Sequence, residues 1–351
     1  MTPPNPYICL DEQCFLPDTL RGGVFALGVF DGVHLGHQAV FKQSLLDAQK
    51  RGTWAGAFSF ATHPKTYFKK ATEHHLLATL EEKIELCQAA GLQVLIMPPF
   101  NDYYCHLSAH DFIRALIKEC LGAVHVVVGH DFHFGFQRQG NADWLMANAE
   151  ALGIGVTVVE AVTLPDEDPS PHEREENPLP ISSTWIRHAL SKGQIEEANR
   201  LLGRPYSVTG QTFAGLQNGE KLGFPTLNSR CGDPNKRLPK TGVYITHSHT
   251  AGRYWPSLTH IGTAPTLQGS KKVTPWLESH LLDDFSESMW IEKPLTVHFH
   301  HRLRDEMRFE TIDALKTQIQ QDVAMALAWH AIHPLNEFQF VTPITLEPAS
   351  I

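Results

Sequence analysis

Between residues 23 and 159 the chain alternates short apolar runs with stretches of helical periodicity, and this alternation constrains the fold more than any other feature. Gly23–Phe30, Trp54–Phe60, Leu92–Met97, Ala123–Val128 and Val156–Val159 read as buried strands. Between them, Gln38–Lys50, Leu80–Ala90 and Ser108–Cys120 read as helices. In the first, Val40, Phe41, Leu45 and Leu46 supply the apolar stripe and Gly52 the stop. In the third, Ser108 and Asp111 have the spacing of a capping box. Strands that short, with helices between, predict a parallel sheet covered on both faces, with ligands at the carboxyl ends of its strands.

The pattern breaks at Thr163–Pro180, where prolines 165, 169, 171, 178 and 180 stand among acidic residues, the composition of an exposed, mobile loop. Helical signals resume at Ser183–Ser191 and Ile195–Leu202, and Gly203-Arg204-Pro205 marks the expected boundary. Beyond it, Tyr206–Phe213, Gly242–Thr246, Tyr254–Ile261, Trp276–Leu282 and Leu295–His301 are short strands between Gly and Pro turns. Leu295, Val297 and Phe299 alternate with polar neighbours, and only Asp313–Ile332 reads as a long helix. A small antiparallel β-barrel with a C-terminal helix fits this half. The 351 residues thus divide into an α/β domain, 1–203, and a barrel domain, 204–351.

The charge balance, 29 basic against 38 acidic residues, gives no support to a polyanion-binding surface, so no nucleic-acid partner is expected. No apolar run approaches the ~18 residues of a membrane span, and the first thirty residues show no basic region followed by an apolar one. Cysteines at 9, 14, 87, 105, 120 and 231 form no CxxC pair and read as scattered buried thiols. The expected setting is cytoplasmic. The 21 histidines are the unusual entry in the composition.

Chemistry concentrates first in Phe30-Asp31-Gly32-Val33-His34-Leu35-Gly36-His37, between a strand and a helix. A helix N-terminus offers unpaired N–H groups and the positive end of a dipole, which suit a phosphate. Gly36 leaves room for close approach, and His34 and His37 lie on one turn, where both imidazoles can stabilise charge building on phosphorus-bound oxygens. The bland alternative is a glycine turn with two surface histidines. A second element, Ile181-Ser182-Ser183-Thr184-Trp185-Ile186-Arg187, opens a later helix. Its serines can cap that helix or, with Arg187, grip a triphosphate.

HxGH followed by SSTxxR resembles the nucleotidyltransferase superfamily, whose sheet is Rossmann-like. The flanking segments FDGVHLGHQ, SFATHP (59–64), LEEKIEL (80–86), VVVGHDFHFG (126–135) and LLGRPY (201–206) are similar to the FAD synthetase module of bacterial bifunctional riboflavin kinase/FAD synthetases. The second half resembles the riboflavin kinase module of the same family through LGFPTLN (222–228), GVY (242–244), IGTAPT (261–266), ESHL (278–281) and LRDEMRF (303–309). The resemblance covers roughly residues 20–330, with both modules in order.

That resemblance implies ATP-dependent phosphorylation of riboflavin to FMN, then adenylylation of FMN to FAD with release of pyrophosphate. The implied partners are riboflavin, FMN and ATP, with Mg²⁺ as cofactor. In the synthetase half it implies catalytic roles for His34, His37 and Arg187, and ligand contacts at Gly28, Phe30, Asp31, Gly36, Asp131, Ser182 and Ser183. In the kinase half, Glu278 would be the base, and Thr226 and Asn228, two apart on an extended segment, would hold Mg²⁺. Gly210, Gly219, Lys221 and Gly223 would line the phosphate loop, and Arg304 would lie near flavin or nucleotide.

The chain also departs from the family. Gly219-Glu220-Lys221 stands where the family usually carries Gly-Arg, Leu227 replaces a small Ala, and His260 occupies the place of an Asn. Trp290-Ile291 replaces Tyr-Gly, Pro180 replaces an Arg before ISST, and His130 and His133 are unusual in their segment. His63 lies in a family motif, and most remaining histidines are expected at the surface. Narrower readings stay open at this level: one activity alone, or a flavin-binding regulatory protein without turnover. An RNA-acting ligase has no Lys-rich KMSKS-like second signature here to support it.

Overall fold

The computed structural model describes residues 6–12, 16–68, 75–164, 179–214, 219, 222–262, 276–283, 291–340 and 344. Two compact units emerge, Met1–Ser183 with Val341–Ile351, and Thr184–Phe340. Most of the 163–180 segment, and the departures at 220, 221 and 290, lie outside the described residues.

The first unit runs β1 (Tyr7–Cys9), β2 (Val24–Leu27), α1 (Leu35–Arg51), β3 (Ala55–Phe58), α2 (Pro64–Tyr67), α3 (Leu80–Ala89) and β4 (Val94–Ile96). It continues through α4 (Asp102–His106), α5 (Ala109–Asp111), which runs on with π-helical pairing over Phe112–Cys120, and β5 (His125–Gly129). The short β6 (His133–Phe134) and β7 (Gly140–Asn141), then α6 (Ala142–Leu152) and β8 (Gly155–Val159), complete it. Six strands form one parallel sheet in the order β1-β4-β3-β2-β5-β8.

Both faces of the sheet are covered, as the near-continuous apolar strands require. Phe25, Leu27, Phe58, Val126 and Val128 pack with Ile113, Leu116, Ile117 and Leu145. Their neighbours in sequence, Val24, Ala26, Ala57 and Val127, pack instead with Val40 and Phe41 of α1 and Cys87 of α3. That two-residue alternation sorts one strand between two cores. Local signals set the helix ends: Thr79 and Glu82 form a reciprocal capping box on α3, Ser108 accepts from the Asp111 amide, and Gly52 ends α1 at φ 64°.

In the second unit, α7 (Ser183–Lys192), whose first residue still counts with the first unit, and α8 (Ile195–Leu202) precede β9 (Tyr206–Phe213), β10 (Leu227–Cys231), β11 (Gly242–Thr250), β12 (Arg253–Gly262), β13 (Trp276–Leu281), β14 (Pro294–Arg304) and α9 (Ile312–Ile332). The strands close into an antiparallel barrel, β10-β13-β12-β11-β14-β9. The sequence places the division after 203, whereas α7 and α8 group with the barrel. Asn199 of α8 explains this, donating to the Phe299 carbonyl at 2.8 Å and accepting from the Tyr206 amide at 2.7 Å.

Successive residues of β11 take different environments. Thr246 and Ser248 join Ser257, Thr259 and Ser279 in a buried chain of hydroxyls 2.8–2.9 Å apart. Val243 and Ile245 pack with Leu258 and with Ala326 of α9. His247, on the same side, is buried, as are His298 and His300 of β14. This corrects the expectation of surface histidines. Strand alternation marks those positions as polar and outward, but α9 and the segment after it roof them: His247 meets the His330 ring at 4.6 Å, and His300 meets Phe338 at 4.3 Å. Burial pushes the imidazoles of His247 and His298 down to about 3 and that of His300 to about 2, so all three are neutral at pH 7. Among the described residues no helix is long and apolar enough to cross a membrane.

Candidate active sites

In the first unit the chain steps from β2 outward through β3 to β4, then returns to β5 on the other side of β2. The loops after β2 and β5 therefore flank the switch point, the crevice where open parallel sheets bind ligands. The loop after β2 carries the HxGH motif, and the turn after β5 carries exposed Asp131.

The β2 loop departs from ordinary backbone. Phe30 and Val33 adopt φ 51° and 42°, and Gly32 φ 82°, the left-handed region that side-chain-bearing residues avoid. A Cβ on Gly32 would come within 2.8 Å of Leu77, and one on Gly28 within 2.7 Å of the Phe30 ring. Asp31 is buried, and its Oδ1 accepts from the amides of Leu77 and Ala78 at 2.9 and 3.2 Å. The structure thus gives Asp31 a bracing contact between the loop and the segment just before α3.

His34 is the N-cap of α1, its Nδ1 accepting from the His37 amide across 3.4 Å. In a neutral ring this leaves the proton on Nε2, which becomes a donor. The His34 and His37 rings stack, with centroids 3.6 Å apart and 19° between planes, and Phe30 meets His37 edge-on at 5.3 Å. A Cβ on Gly36 would approach the His34 ring at 3.2 Å, so a larger residue would press on the stack.

The second motif reaches this loop: Ser183 Oγ donates to the Asp31 carbonyl at 3.0 Å. Ser182 is half-buried just before α7, and Arg187 lies one turn beyond Ser183 on α7. Sequence reasoning assigned no site role to Lys83, which the LEEKIEL segment carries. Its buried Nζ donates to the carbonyls of Val29 and Phe60 at 3.1 and 3.0 Å, tying together the chain beyond β2 and β3. Burial pulls its ammonium below the usual value against the attraction of Asp31.

In the barrel, strand register assembles a row. Asn228 pairs with Glu278, Glu278 with His260, His260 with Val243, and Val243 with Arg304. Residues paired this way share a face, so one row crosses β10, β13, β12, β11 and β14. Trp276 Nε1 donates to Glu278 Oε1 at 2.8 Å, while His260 Nδ1 lies 3.6 Å from Oε2. Burial works against the charged carboxylate of Glu278, but the hydrogen bonds of His260 and Trp276 outweigh it and hold the group below its usual value.

Gly219 stands close to Thr226: a Cβ there would sit 2.4 Å from the Phe224 carbonyl and 3.3 Å from Thr226 Oγ1. Gly223 has φ +88° with open space around it, and a Cβ on Gly210 would lie 2.5 Å from the Arg230 carbonyl. Lys221 lies outside the described residues. Arg304 is tied to α9, with Nε 3.1 and 3.0 Å from the two oxygens of buried Asp322 and Nη2 2.6 Å from one of them. Asp322 and Trp276 were not singled out from the sequence; neither stands in a local pattern that marks it.

Comparison with known proteins matches both halves. A family model described as FAD synthetase covers residues 16–171, and one described as riboflavin kinase covers 202–330. The bifunctional riboflavin kinase/FMN adenylyltransferase of Pseudomonas fluorescens is 36% identical over 308 residues, 88% of this chain and 93% of that protein. Its counterpart in Bacillus subtilis is 32% identical over 307 residues, 87% of this chain and 92% of that one. The Haemophilus influenzae counterpart is 32% identical over 311 residues, 88% and 95% respectively. A crystal structure from Streptococcus pneumoniae, described as a macrolide-efflux protein, has a TM-score of 0.79 at 24% identity, covering 92% of this chain and 99% of its own. That last likeness is one of fold.

Proposed function

The chain belongs to the family of bifunctional riboflavin kinase/FMN adenylyltransferases, and from that premise we propose how its own residues divide the work. The enzyme phosphorylates riboflavin with ATP to FMN and adenylylates FMN with ATP to FAD. We assign the first reaction to residues 204–351 and the second to 1–203.

In adenylyl transfer a terminal phosphate oxygen of FMN attacks the α-phosphorus of ATP, and pyrophosphate leaves. No side chain need form a bond, so rate comes from positioning and charge stabilisation. His34 and His37 donate to the oxygens where negative charge grows, with the N-terminus of α1 adding its dipole. Ser182, Ser183 and Arg187 grip the triphosphate. Gly28, Phe30, Asp31 and Gly36 shape the floor, and Asp131 contacts the ligand from the β5 side of the crevice. The imidazole stack on the first turn of α1 carries this assignment.

In the kinase reaction Glu278 accepts the proton of the ribityl 5′-hydroxyl as that oxygen attacks the γ-phosphorus and ADP leaves. The hydroxyl of Thr226 and the carboxamide oxygen of Asn228 are hard donors, with Gly219 leaving room beside Thr226; they suit Mg²⁺, which when bound neutralises phosphate charge. Gly219 and Gly223 belong to the phosphate loop, whereas Gly210, expected there from the sequence, lies within β9 paired with Cys231 and Leu295; Arg304 borders the flavin or nucleotide. The register row from Asn228 to Arg304 carries this assignment. A cytoplasmic setting is supported by the free thiols of Cys9, Cys105 and Cys120 among the described residues.

One assay tests the division. With riboflavin, ATP and MgCl₂, chromatography should show FMN and FAD from the full chain, and FMN alone from His37→Ala. Glu278→Ala should make FAD only from supplied FMN. Loss of both activities in either folded variant would overturn the assignment of separate sites.

A further inference from the structure

The loop between β2 and α1 is held by its carbonyls. Val29 O accepts from Ser59 Oγ at 2.9 Å and from Lys83 Nζ at 3.1 Å. Asp31 O accepts from Ser183 Oγ at 3.0 Å, and Val33 O accepts from Gln38 Nε2 at 3.0 Å. Every second carbonyl from 29 to 33 is thus captured by a side chain. The donors come from the residue after β3, from α3, from the first residue of α7 and from the first turns of α1. Gln38, Ser59 and Lys83 are themselves buried.

The backbone held in this way is strained. Val33 is β-branched and sits at φ 42°, and Phe30 sits at φ 51°. Such conformations persist only where the surroundings over-determine them. A trans peptide unit is planar, with its N–H opposite its C=O, and no cis bond occurs among the described residues. Fixing the carbonyls of Val29, Asp31 and Val33 therefore fixes the amides of Phe30, Gly32 and His34, which lead into α1. A flipped peptide would present a carbonyl oxygen where an N–H stands, and a carbonyl oxygen repels phosphate.

We propose that Gln38 and Ser59 are positioning residues for adenylyl transfer: they lock the Val33–His34 and Val29–Phe30 peptides and so keep the HxGH loop in its phosphate-binding form. The Nε2 end of Gln38 faces Val33 because the Oε1 end would set two acceptors against each other. Neither side chain meets a reacting atom in this role; both act through the loop. The proposal rests on that loop being the adenylyl-transfer site.

Without the locks the peptides sample both orientations, and only one binds the triphosphate. The apparent affinity for ATP then falls with the fraction of loops in the binding form, whereas saturating ATP draws the loop back. The signature is a raised KM for ATP with kcat kept. Loss of folded protein does the reverse, lowering the apparent kcat and leaving KM alone.

The test is FAD synthesis from supplied FMN by the full chain, with KM measured separately for ATP and for FMN. Circular dichroism and riboflavin phosphorylation serve as folding controls. Gln38→Met keeps the length of the side chain and loses the donor. It should raise KM for ATP about tenfold, the scale of one buried hydrogen bond, with kcat within about twofold and KM for FMN unchanged. Ser59→Ala is the milder change and remains readable if Gln38→Met does not fold. It should raise KM for ATP about threefold, because Lys83 still holds the Val29 carbonyl. An unchanged KM for ATP in the folded variants would overturn the proposal, as would an equal rise in KM for FMN. Retained FAD synthesis in His37→Ala would instead refute the site assignment beneath it.

Discussion

In the α/β unit the cap, the glycine and the stacked imidazoles come from four consecutive residues, His34 to His37, whereas the barrel draws Asn228, His260, Glu278 and Arg304 from four different strands. The first site is a matter of local backbone: three left-handed residues in the loop, a capped helix start, and the Lys83 and Asp31 contacts that brace it. The second is a matter of register. A slip of one residue in β12 or β13 would send its member of the row to the opposite face. A locally built site fails when a turn is altered, and a register-built site fails when a strand pairing or a row member is lost.

The largest expected effect breaks the barrel row at its base. Glu278→Gln keeps the shape and the Trp276 contact while removing the proton acceptor, so FMN formation should fall by about 10²–10⁴-fold. FAD formation from supplied FMN should not change, as read by chromatography of the two reactions run separately. The matching change in the other unit is His37→Ala, for which FAD synthesis should fall by about 10²–10³-fold with riboflavin phosphorylation intact. His34 needs more care, because its ring also caps α1. His34→Asn keeps a capping side chain, so a comparable loss of FAD synthesis with unchanged thermal stability would assign the effect to catalysis.

A smaller effect is expected at Lys83. Replacing it by Met leaves the Val29 and Phe60 carbonyls without the ammonium, at a cost of roughly 1–3 kcal/mol. Hydrogen exchange should quicken at amides of β2 and β3 and stay the same in β11 and β14. Equal loosening of both units would show that the brace is not local.

The same contrast explains what the sequence disclosed. FDGVHLGH was legible because strand, turn and helix start are contiguous and each has its own composition. The barrel residues were legible only through motif resemblance: nothing near Glu278 in sequence announces that Asn228 and His260 flank it, since register is decided by long-range pairing. Elements β1 and α6 were passed over for different reasons. The three-residue β1 is too short to show a period, whereas α6 has a capping Asn141 and a left-handed Gly153 that a search for start and stop signals would have found. The buried histidines were misread because alternation reports two faces of a strand and not whether a helix later covers the outer one.

Those histidines carry the smallest predicted effect and the last contrast between the units. In the barrel, His247, His298 and His300 are neutral in the fold at about 3, 3 and 2, against about 6.5 for an unfolded imidazole. Between those values the unfolded chain binds more protons than the folded one, so stability rises with pH across the window. Stated the other way, the barrel loses stability as pH falls from about 6.5 toward about 3. The α/β unit has His125 in a similar position: burial lowers it, but Asp47, 3.4 Å away, offsets part of the shift. Acidification from pH 7 to 5 should therefore speed hydrogen exchange, corrected for its intrinsic rate, more at β11 and β14 amides than at β2 and β5 amides. His298→Phe removes one titrating ring while keeping an aromatic against Tyr254 and Phe340, and should flatten the barrel's acid response without abolishing it. An unchanged slope in that variant would mean that the imidazole layer is not what makes the barrel the more acid-labile unit.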